Sequence, residues 1–237
     1  MDTILYKTQT ENIKLVAYKL ISLDKIPSTQ FWAHDLIAKK QAVDKTVITA
    51  TMQTAGHGRY GRSWISHRGN LYASFIFKIT RYNSKLSYAI GVAVAETLIH
   101  FGIQPKIKWP NDVLIDGKKI SGILIEYNQN FVVIGIGINI SHAPKIKEYK
   151  TVKMDDFVKT SVVDVLNVLI KKIEIWRNAD FDDVRKRWIE LAFGVNQKIK
   201  YHDKQMKFIG LNDDGALILG DDKNNVFIYG DEVNIQS

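Results

Sequence analysis

Cysteine is absent from this 237-residue chain. Its absence excludes disulfide bonds, zinc–thiolate sites, thiol nucleophiles and acyl-cysteine intermediates. Long apolar runs are absent as well. The most apolar segment, residues 88–103, is interrupted by Glu96 and His100, whereas a membrane-spanning helix needs about 18 apolar residues. The first residues also lack the basic-then-apolar pattern of a secretory signal. These features predict a cytoplasmic protein without membrane contact.

The composition is that of an ordinary folded globular protein, with 46% hydrophobic and 24% charged residues. The formal net charge is +8 and the isoelectric point is near 9.4. Such a basic balance favours an anionic partner, which could be a nucleotide, a nucleic acid or an acidic protein. A charge excess is more often only a solvated surface, so it does not select a function by itself.

Hydrophobic patterning predicts a larger α/β body followed by a small β-rich domain. Apolar periodicity predicts helices at residues 28–39, 84–101, 162–176 and 181–192. β-Branched and alternating segments predict strands at residues 15–23, 47–53, 71–79, 106–109, 113–115, 120–127 and 131–140. Evenly spaced short strands that suggest a small barrel follow at residues 198–201, 206–211, 216–219 and 226–229. The predicted domains are therefore residues 1–192 and 193–237.

Residues 54–69 form a long segment without apolar periodicity that holds four glycines and three arginines. Its centre, residues 56–64, has the sequence GHGRYGRSW. Glycines let a backbone approach a ligand closely and expose its N–H groups, while Arg59 and Arg62 offer planar donors for phosphate or carboxylate. The segment has neither a P-loop ending nor the spacing of a dinucleotide fingerprint. Alone, it fits an anion cradle, a flexible loop or a nucleic-acid-binding segment equally well.

Two further segments combine cations with turn residues. KWPNDV at residues 108–113 places Lys108 and Asp112 beside a Trp-Pro corner, although such turns usually cap local backbone and a tryptophan is usually core. KKISGIL at residues 118–124 places Lys119 at the mouth of a buried strand, although adjacent lysines are usually solvated. Alone, the first segment therefore favours a structural role and the second a solvated surface.

In combination, the segments are much more specific. TMQ at residues 51–53, GHGRYGRSW, KWPNDV, KKISGILIE at residues 118–126 and GIGIN at residues 135–139 resemble, in order and spacing, the catalytic domain of biotin protein ligases. The resemblance implies an α+β fold, in which a mixed sheet flanked by helices, of the class II synthetase-like kind, precedes a small SH3-like barrel. That layout agrees with the elements predicted from periodicity.

The resemblance also implies a reaction. Such a ligase uses ATP to convert biotin into biotinyl-5′-adenylate, and then transfers biotin to a lysine of a biotin carboxyl carrier protein or domain. Because the attacking amine comes from the partner, the absence of cysteine is consistent with this chemistry. Mg²⁺ is expected with ATP, but no carboxylate cluster in the sequence identifies a metal site on the protein.

Site residues follow from the resemblance, position by position. Catalysis would involve Arg59, Lys108, Asp112 and Lys119. Biotin would contact Ser28, Thr29, Gln30, Gln53, Gly56, His57, Gly58, Arg59, Lys119 and Gly122. The nucleotide or adenylate would contact Arg59, Arg62, Trp64, Lys108, Asn111 and Asn139.

Three positions depart from the family pattern. His57 and Tyr60 stand where the glycine-rich loop commonly has basic residues, and Gln30 stands where the helix start commonly has Asn. We expect these changes to tune affinity or loop closure and not to abolish activity, because Arg59, Lys108 and Lys119 are retained.

Other functions remain as alternatives at this stage. A lipoate–protein ligase would share the superfamily, and a basic nucleic-acid-binding module would use the arginines and aromatic residues of the glycine-rich segment. A protein that binds biotin without releasing pyrophosphate is a third alternative. About 14 residues precede the first predicted strand, so we expect no DNA-binding domain and no DNA partner. The acceptor carboxylase and the choice between monomer and homodimer are left open.

Overall fold

The computed structural model describes residues 3–6, 16–201, 204–220 and 224–229. The chain divides into two compact units. The first contains Met1–Tyr82, Ser121–Ile146 and Thr151–Leu166, and the second contains Asn83–Ile120, Lys147–Lys150 and Asn167–Ser237. The domain boundary predicted between residues 192 and 193 stays a prediction.

Twelve strands and four helices are formed by the described residues. The strands are β1 (Thr3–Tyr6), β2 (Val16–Ile26), β3 (Thr46–Gln53), β4 (Leu71–Lys78), β5 (Lys106–Lys108), β6 (Asp112–Ile115), β7 (Lys118–Asn128), β8 (Phe131–Ile138), β9 (Lys198–Tyr201), β10 (Lys204–Leu211), β11 (Leu217–Gly220) and β12 (Asn225–Ile228). The helices are α1 (Thr29–Ala38), α2 (Leu86–His100), α3 (Val162–Arg177) and α4 (Phe181–Leu191).

The first unit is built on a mixed sheet with the strand order β1-β2-β3-β4-β8-β7. Strands β2 and β3 are parallel, and the other neighbours are antiparallel. Helix α1 packs on one face of this sheet, where its side chains Ala33 and Ile37 form a core with Ile48, Ile76 and Val133. Helix α1 therefore lies against β3, β4 and β8 within this unit.

The second unit contains α2, α4, the antiparallel pair β5–β6 and a four-stranded antiparallel sheet with the order β12-β11-β10-β9. Its core joins Trp188 of α4 and Phe208 of β10 to apolar residues of α2 and β5. The small sheet therefore shares a hydrophobic core with the helices of its own unit. The α+β class is confirmed, and where the sequence predicted a small SH3-like barrel the described residues form this small antiparallel sheet.

Most predicted elements are confirmed to within a few residues. Ser28 caps α1 through its side chain, which accepts from the backbone N–H groups of Gln30 and Phe31. Strand β1 was not predicted. The start of the first predicted strand, at Leu15, lies outside the described residues. In the part of the chain that the structure describes, no helix is long and apolar enough to cross a membrane.

Candidate functional site

A strip of glycines interrupts the apolar surface where β7 and β8 pair in the first unit. Gly122 lies opposite Gly137, and Gly135 lies opposite Leu124, so all four residues project toward the same face of the sheet. All three glycines are half-buried. We call Gly122, Gly135 and Gly137 the glycine strip.

Two side chains lie directly on the glycine strip. A Cβ placed on Gly137 would lie 2.5 Å from Cε2 of Trp64, and a Cβ on Gly135 would lie 2.7 Å from Oε1 of Gln30. Real Cβ atoms do not approach other atoms this closely, so both positions require glycine if Trp64 and Gln30 are to keep their places. The bare backbone therefore makes room for an indole ring and an amide on one face of the sheet.

The first turn of α1 is held by a network of polar side chains. Oε1 of Gln53 accepts from the backbone N–H of Thr29 at 2.8 Å and from its hydroxyl at 3.2 Å. Nε2 of Gln53 donates to the Ser66 hydroxyl at 2.9 Å. Ser28, Thr29 and Gln30 are all buried. Four residues predicted to contact biotin, namely Ser28, Thr29, Gln30 and Gln53, are thus brought together by β3 and the start of α1.

Gln30 is also joined by a hydrogen bond to strand β7. Its Nε2 donates to Oε2 of Glu126 at 2.8 Å, and the same oxygen lies 2.8 Å from Nε2 of His34. The hydrogen bond from His34 lowers the pKa of the Glu126 carboxyl below its ordinary value, against the opposing effect of burial. Glu126 is therefore held as a carboxylate beside Gln30.

The glycine-rich segment is an ordered hairpin and not a structureless loop. The Trp64 N–H donates to the Gly56 carbonyl at 2.8 Å, and the Gly58 N–H donates to the Arg62 carbonyl at 2.7 Å. Between these two bonds, His57 and Ser63 form an antiparallel β-bridge. A 3₁₀ turn, Arg59–Gly61, closes its tip. The sequence did not predict this pairing because the segment has no apolar alternation.

Three side chains at the tip of this hairpin interact with each other. Tyr60 has a φ of +56° and a largely exposed ring. The guanidinium carbons of Arg59 and Arg62 lie 5.5 Å and 5.6 Å from the centre of that ring. This is cation–π distance, so Tyr60 interacts with two positive charges at the tip. The arrangement suits an anionic ligand.

The base of the hairpin is tightly packed. A Cβ on Gly56 would lie 2.6 Å from the Ser66 hydroxyl and 2.6 Å from the Trp64 carbonyl. Gly56 thus lets the hairpin pass close to Ser66, whose hydroxyl accepts a hydrogen bond from Gln53. The hairpin and the start of α1 are therefore linked through one serine.

Asn139 follows β8 and was predicted to contact the nucleotide. Its Nδ2 donates to the Val152 carbonyl at 3.1 Å, while its Oδ1 is buried and has no hydrogen-bond partner among the described residues. The neighbouring backbone is held by Asn70, whose Oδ1 accepts from three consecutive N–H groups, those of Ile140, Ser141 and His142, at 2.9–3.0 Å.

The second unit contains the predicted lysines. Nζ of Lys119 lies 2.7 Å from Oδ1 of Asp112 and 5.2 Å from the centre of the Tyr149 ring. Only 16% of its side-chain surface is exposed, so the expectation that adjacent lysines are solvated is wrong for Lys119, while Lys118 is exposed. Burial lowers the pKa of Lys108, and the positive charge of Lys119 acts in the same direction.

The same segment also contains residues with a structural role. Trp109 is buried in the core of the second unit, and its Nε1 donates to the Tyr88 hydroxyl at 3.3 Å. Trp109 is therefore a core residue, which is the position expected for a tryptophan from its residue type alone. Asn111 is half-buried.

Ser74 belongs to the polar network around Gln30, since its hydroxyl lies 2.9 Å from Oε1 of Gln30. Several residues of these networks were not predicted: His34, Ser66, Ser74 and Glu126 in the first unit and Tyr149 in the second. One sequence signal was available, because Glu126 is the single acidic residue of β7. The contacts of the other four residues join parts of the chain that are separated in sequence, and they gave no local signal. Within the described residues, no group of three or more His, Asp or Glu side chains could hold a metal ion.

Comparison with known proteins places this arrangement in a family. The sequence model of the Biotin/lipoate A/B protein ligase family matches residues 22–140, which include the glycine strip, the hairpin and the predicted lysines. The bifunctional ligase/repressor BirA of Bacillus subtilis is 30% identical over 246 aligned positions, which cover 94% of this chain and 75% of that protein. The biotin–[acetyl-CoA-carboxylase] ligase of Mycobacterium tuberculosis is 32% identical, over 67% of this chain and 66% of that one.

Solved structures agree on the fold. The biotin protein ligase of Aquifex aeolicus, in complex with biotin and ATP, superposes with a TM-score of 0.78 at 24% identity, covering 92% of this chain and 98% of that one. The matched family model spans half of the chain, and the B. subtilis relative aligns along most of it. The chain belongs to the biotin/lipoate A/B protein ligase family.

Proposed function

We propose that this protein is a biotin–[biotin carboxyl carrier protein] ligase. In the first step a carboxylate oxygen of biotin attacks the α-phosphorus of ATP, the bond to the β-phosphate breaks, and pyrophosphate leaves. In the second step a lysine amine of the carrier attacks the carbonyl carbon of the adenylate, loses a proton and releases AMP. The product is a biotinyl amide on the carrier.

The observation that carries this proposal is the glycine strip with Trp64 and Gln30 against it. A partly buried strip of bare backbone with an indole against Gly137 and the buried amide of Gln30 against Gly135 suits a small rigid ring with polar edges, such as the fused ureido ring of biotin. The relatives named as biotin ligases support the same substrate. A flexible chain or a nucleic acid would have no need of such close packing at Gly135 and Gly137.

Cations on the protein suit the first step because two anions must meet. We assign Lys119 to the biotin carboxylate and the adenylate phosphate, with Lys108 as a second positive charge. Arg59 and Arg62, which both lie within cation–π distance of the Tyr60 ring, are assigned to the phosphate of the adenylate. Positive groups that are already oriented stabilise the charge that develops in the transition state without reorganising.

Asp112 has two candidate roles, to activate the acceptor lysine or to hold a cation of the enzyme. Its contact of 2.7 Å with Lys119 supports the second role. We therefore assign Asp112 to positioning Lys119, which keeps the ammonium in one place as ATP and biotin bind. The acceptor amine then meets an adenylate whose phosphate is already neutralised.

In the part of the chain that the structure describes, the side chains form no cluster that would hold a Mg²⁺ ion without ligands from ATP. The residues present thus do not fit a resident metal site, and we derive no step through one. We propose that any Mg²⁺ enters as the ATP complex, that the partner is a biotin carboxyl carrier domain, and that the reaction takes place in the cytoplasm.

The complete reaction is tested with a carrier domain of acetyl-CoA carboxylase, followed by intact-mass spectrometry. We expect the carrier to gain one biotinyl group only when both ATP and biotin are present. A carrier whose acceptor lysine is replaced by arginine is the control and should gain nothing. Modification by lipoate and not by biotin would assign the protein to lipoate ligation and contradict the proposal.

A further inference from the structure

Gln30 has a complete set of partners on its nitrogen. The residue is 3% exposed. One N–H of Nε2 faces Oε2 of Glu126 at 2.8 Å, and the Val133 carbonyl lies 3.4 Å from the same nitrogen. An amide nitrogen has two hydrogens and no acceptor capacity. Both donors of Gln30 are therefore directed into the protein.

The partners also fix which way the amide points. An ionised carboxylate only accepts hydrogen bonds, so Glu126 requires the nitrogen of Gln30 on its side. Glu126 is itself held by His34, whose Nδ1 lies 3.0 Å from Nδ2 of Asn128. If Asn128 donates to Nδ1, Nε2 of His34 carries the proton that Glu126 accepts. The chain of donors and acceptors then has a single direction.

The oxygen of Gln30 is only partly used. Oε1 lies 2.9 Å from the hydroxyl of Ser74, which is also 2.9 Å from the Thr29 hydroxyl. An amide oxygen accepts two hydrogen bonds, and among the described residues Ser74 is the one donor to it. Oε1 also lies against Gly135 of the glycine strip, where any side chain would collide with it. One acceptor position of Gln30 is thus left on the face of the sheet that we assign to the substrate.

We propose that Glu126, supported by His34, is a positioning residue that locks Gln30 as a hydrogen-bond acceptor, so that the site selects an acid whose ring carries an N–H donor. This inference rests on the proposed function and deepens it. The ureido ring of biotin has two N–H groups, whereas the dithiolane ring of lipoate has none. A donor-less ring would leave the buried oxygen of Gln30 without its second partner, which disfavours that ligand.

The test compares two substitutions at one position in ATP–pyrophosphate exchange. In Glu126→Gln the new amide oxygen still accepts from Gln30, whereas Glu126→Met has a similar size and no acceptor. We expect Glu126→Met to raise the KM for biotin about five- to tenfold with little change in kcat, the effect of one misplaced hydrogen bond. Glu126→Gln should stay within about threefold of the wild type. Asp35→Asn, which removes a carboxylate that pairs with Lys39 on the same helix, is the matched control and should not change KM.

A ligand-side measurement on the wild-type protein does not depend on a variant that folds. Biotin methylated on its urea nitrogens should bind at least about fivefold more weakly than biotin in calorimetry. Equal affinity for the two, or equal KM for Glu126→Met and the wild type, would overturn the inference while leaving the proposed function intact. Wild-type protein that performs no exchange with biotin would overturn both.

Discussion

Replacing Gly137 with alanine is the most direct perturbation of the glycine strip. The added methyl would lie 2.5–2.7 Å from three atoms of the Trp64 indole. The Gly137 backbone is held by β4 on one side and β7 on the other. Trp64, which is only half-buried, must therefore be the group that moves.

The magnitude follows from two opposing terms. Overpacking by one methyl costs about 1–3 kcal/mol, whereas replacing glycine within a strand recovers about 0.5–1 kcal/mol of backbone entropy. We expect a net loss of about 1 kcal/mol in the free energy of unfolding, because Trp64 can swing toward solvent. The displaced indole no longer covers the ring of the substrate, so the KM for biotin should rise at least about tenfold.

Urea unfolding and biotin-dependent ATP–pyrophosphate exchange measure the two effects separately. Gly91→Ala is the control, since its added methyl meets nothing closer than 3.5 Å and lies within helix α2. The control should keep its KM and gain a little stability. A Gly137→Ala protein with unchanged KM for biotin would show that Trp64 against the glycine strip is not part of the substrate site.

Three further predictions concern other parts of the chain. Lys119→Ala should lower the rate of pyrophosphate exchange by about 100-fold or more, because a preorganised cation is lost, while its circular dichroism spectrum should stay unchanged. A rate within a few-fold of the wild type would show that Lys119 does not take part in the chemistry. Asn70→Ala leaves three backbone N–H groups without their acceptor and should cost about 3 kcal/mol in urea unfolding, and a cost below about 1 kcal/mol would contradict this account. Burial raises the pKa of Tyr72 to about 12, so between pH 10 and pH 12 the unfolded state loses a proton that the folded state keeps, and the free energy of unfolding falls as pH rises. In Tyr72→Phe the free energy of unfolding should fall less steeply across that range. Equal slopes for the variant and the wild type would refute this cause.

Local sequence signals were sufficient for most of the fold. The cap at Ser28, the apolar periodicity of α2 and the Asp-Gly turn before β7 each specify structure within a few neighbouring residues. The helices and strands predicted at these places are confirmed because the same local contacts appear in the folded chain. The hairpin between Gly56 and Trp64 was missed because its pairing uses backbone atoms and not a hydrophobic pattern.

The candidate site was harder to predict from residue patterns alone. Gln30 and Glu126 are 96 positions apart, and Gln30 and Ser74 are 44 positions apart. Their contacts exist because β4, β8 and β7 pair in one register, and a shift of one residue would turn Ser74 and Glu126 to the opposite face. The resemblance to a family supplied Gln30 and Lys119 as site residues, but nothing local to the sequence indicated Ser74 or His34.

ATP–pyrophosphate exchange, measured in parallel with biotin, lipoate and octanoate, shows which acid the protein activates. We expect exchange that depends on biotin and is absent, or far slower, with the other two acids. Exchange that depends on lipoate or octanoate and not on biotin would contradict the assignment of the glycine strip and Gln30 to a ureido ring.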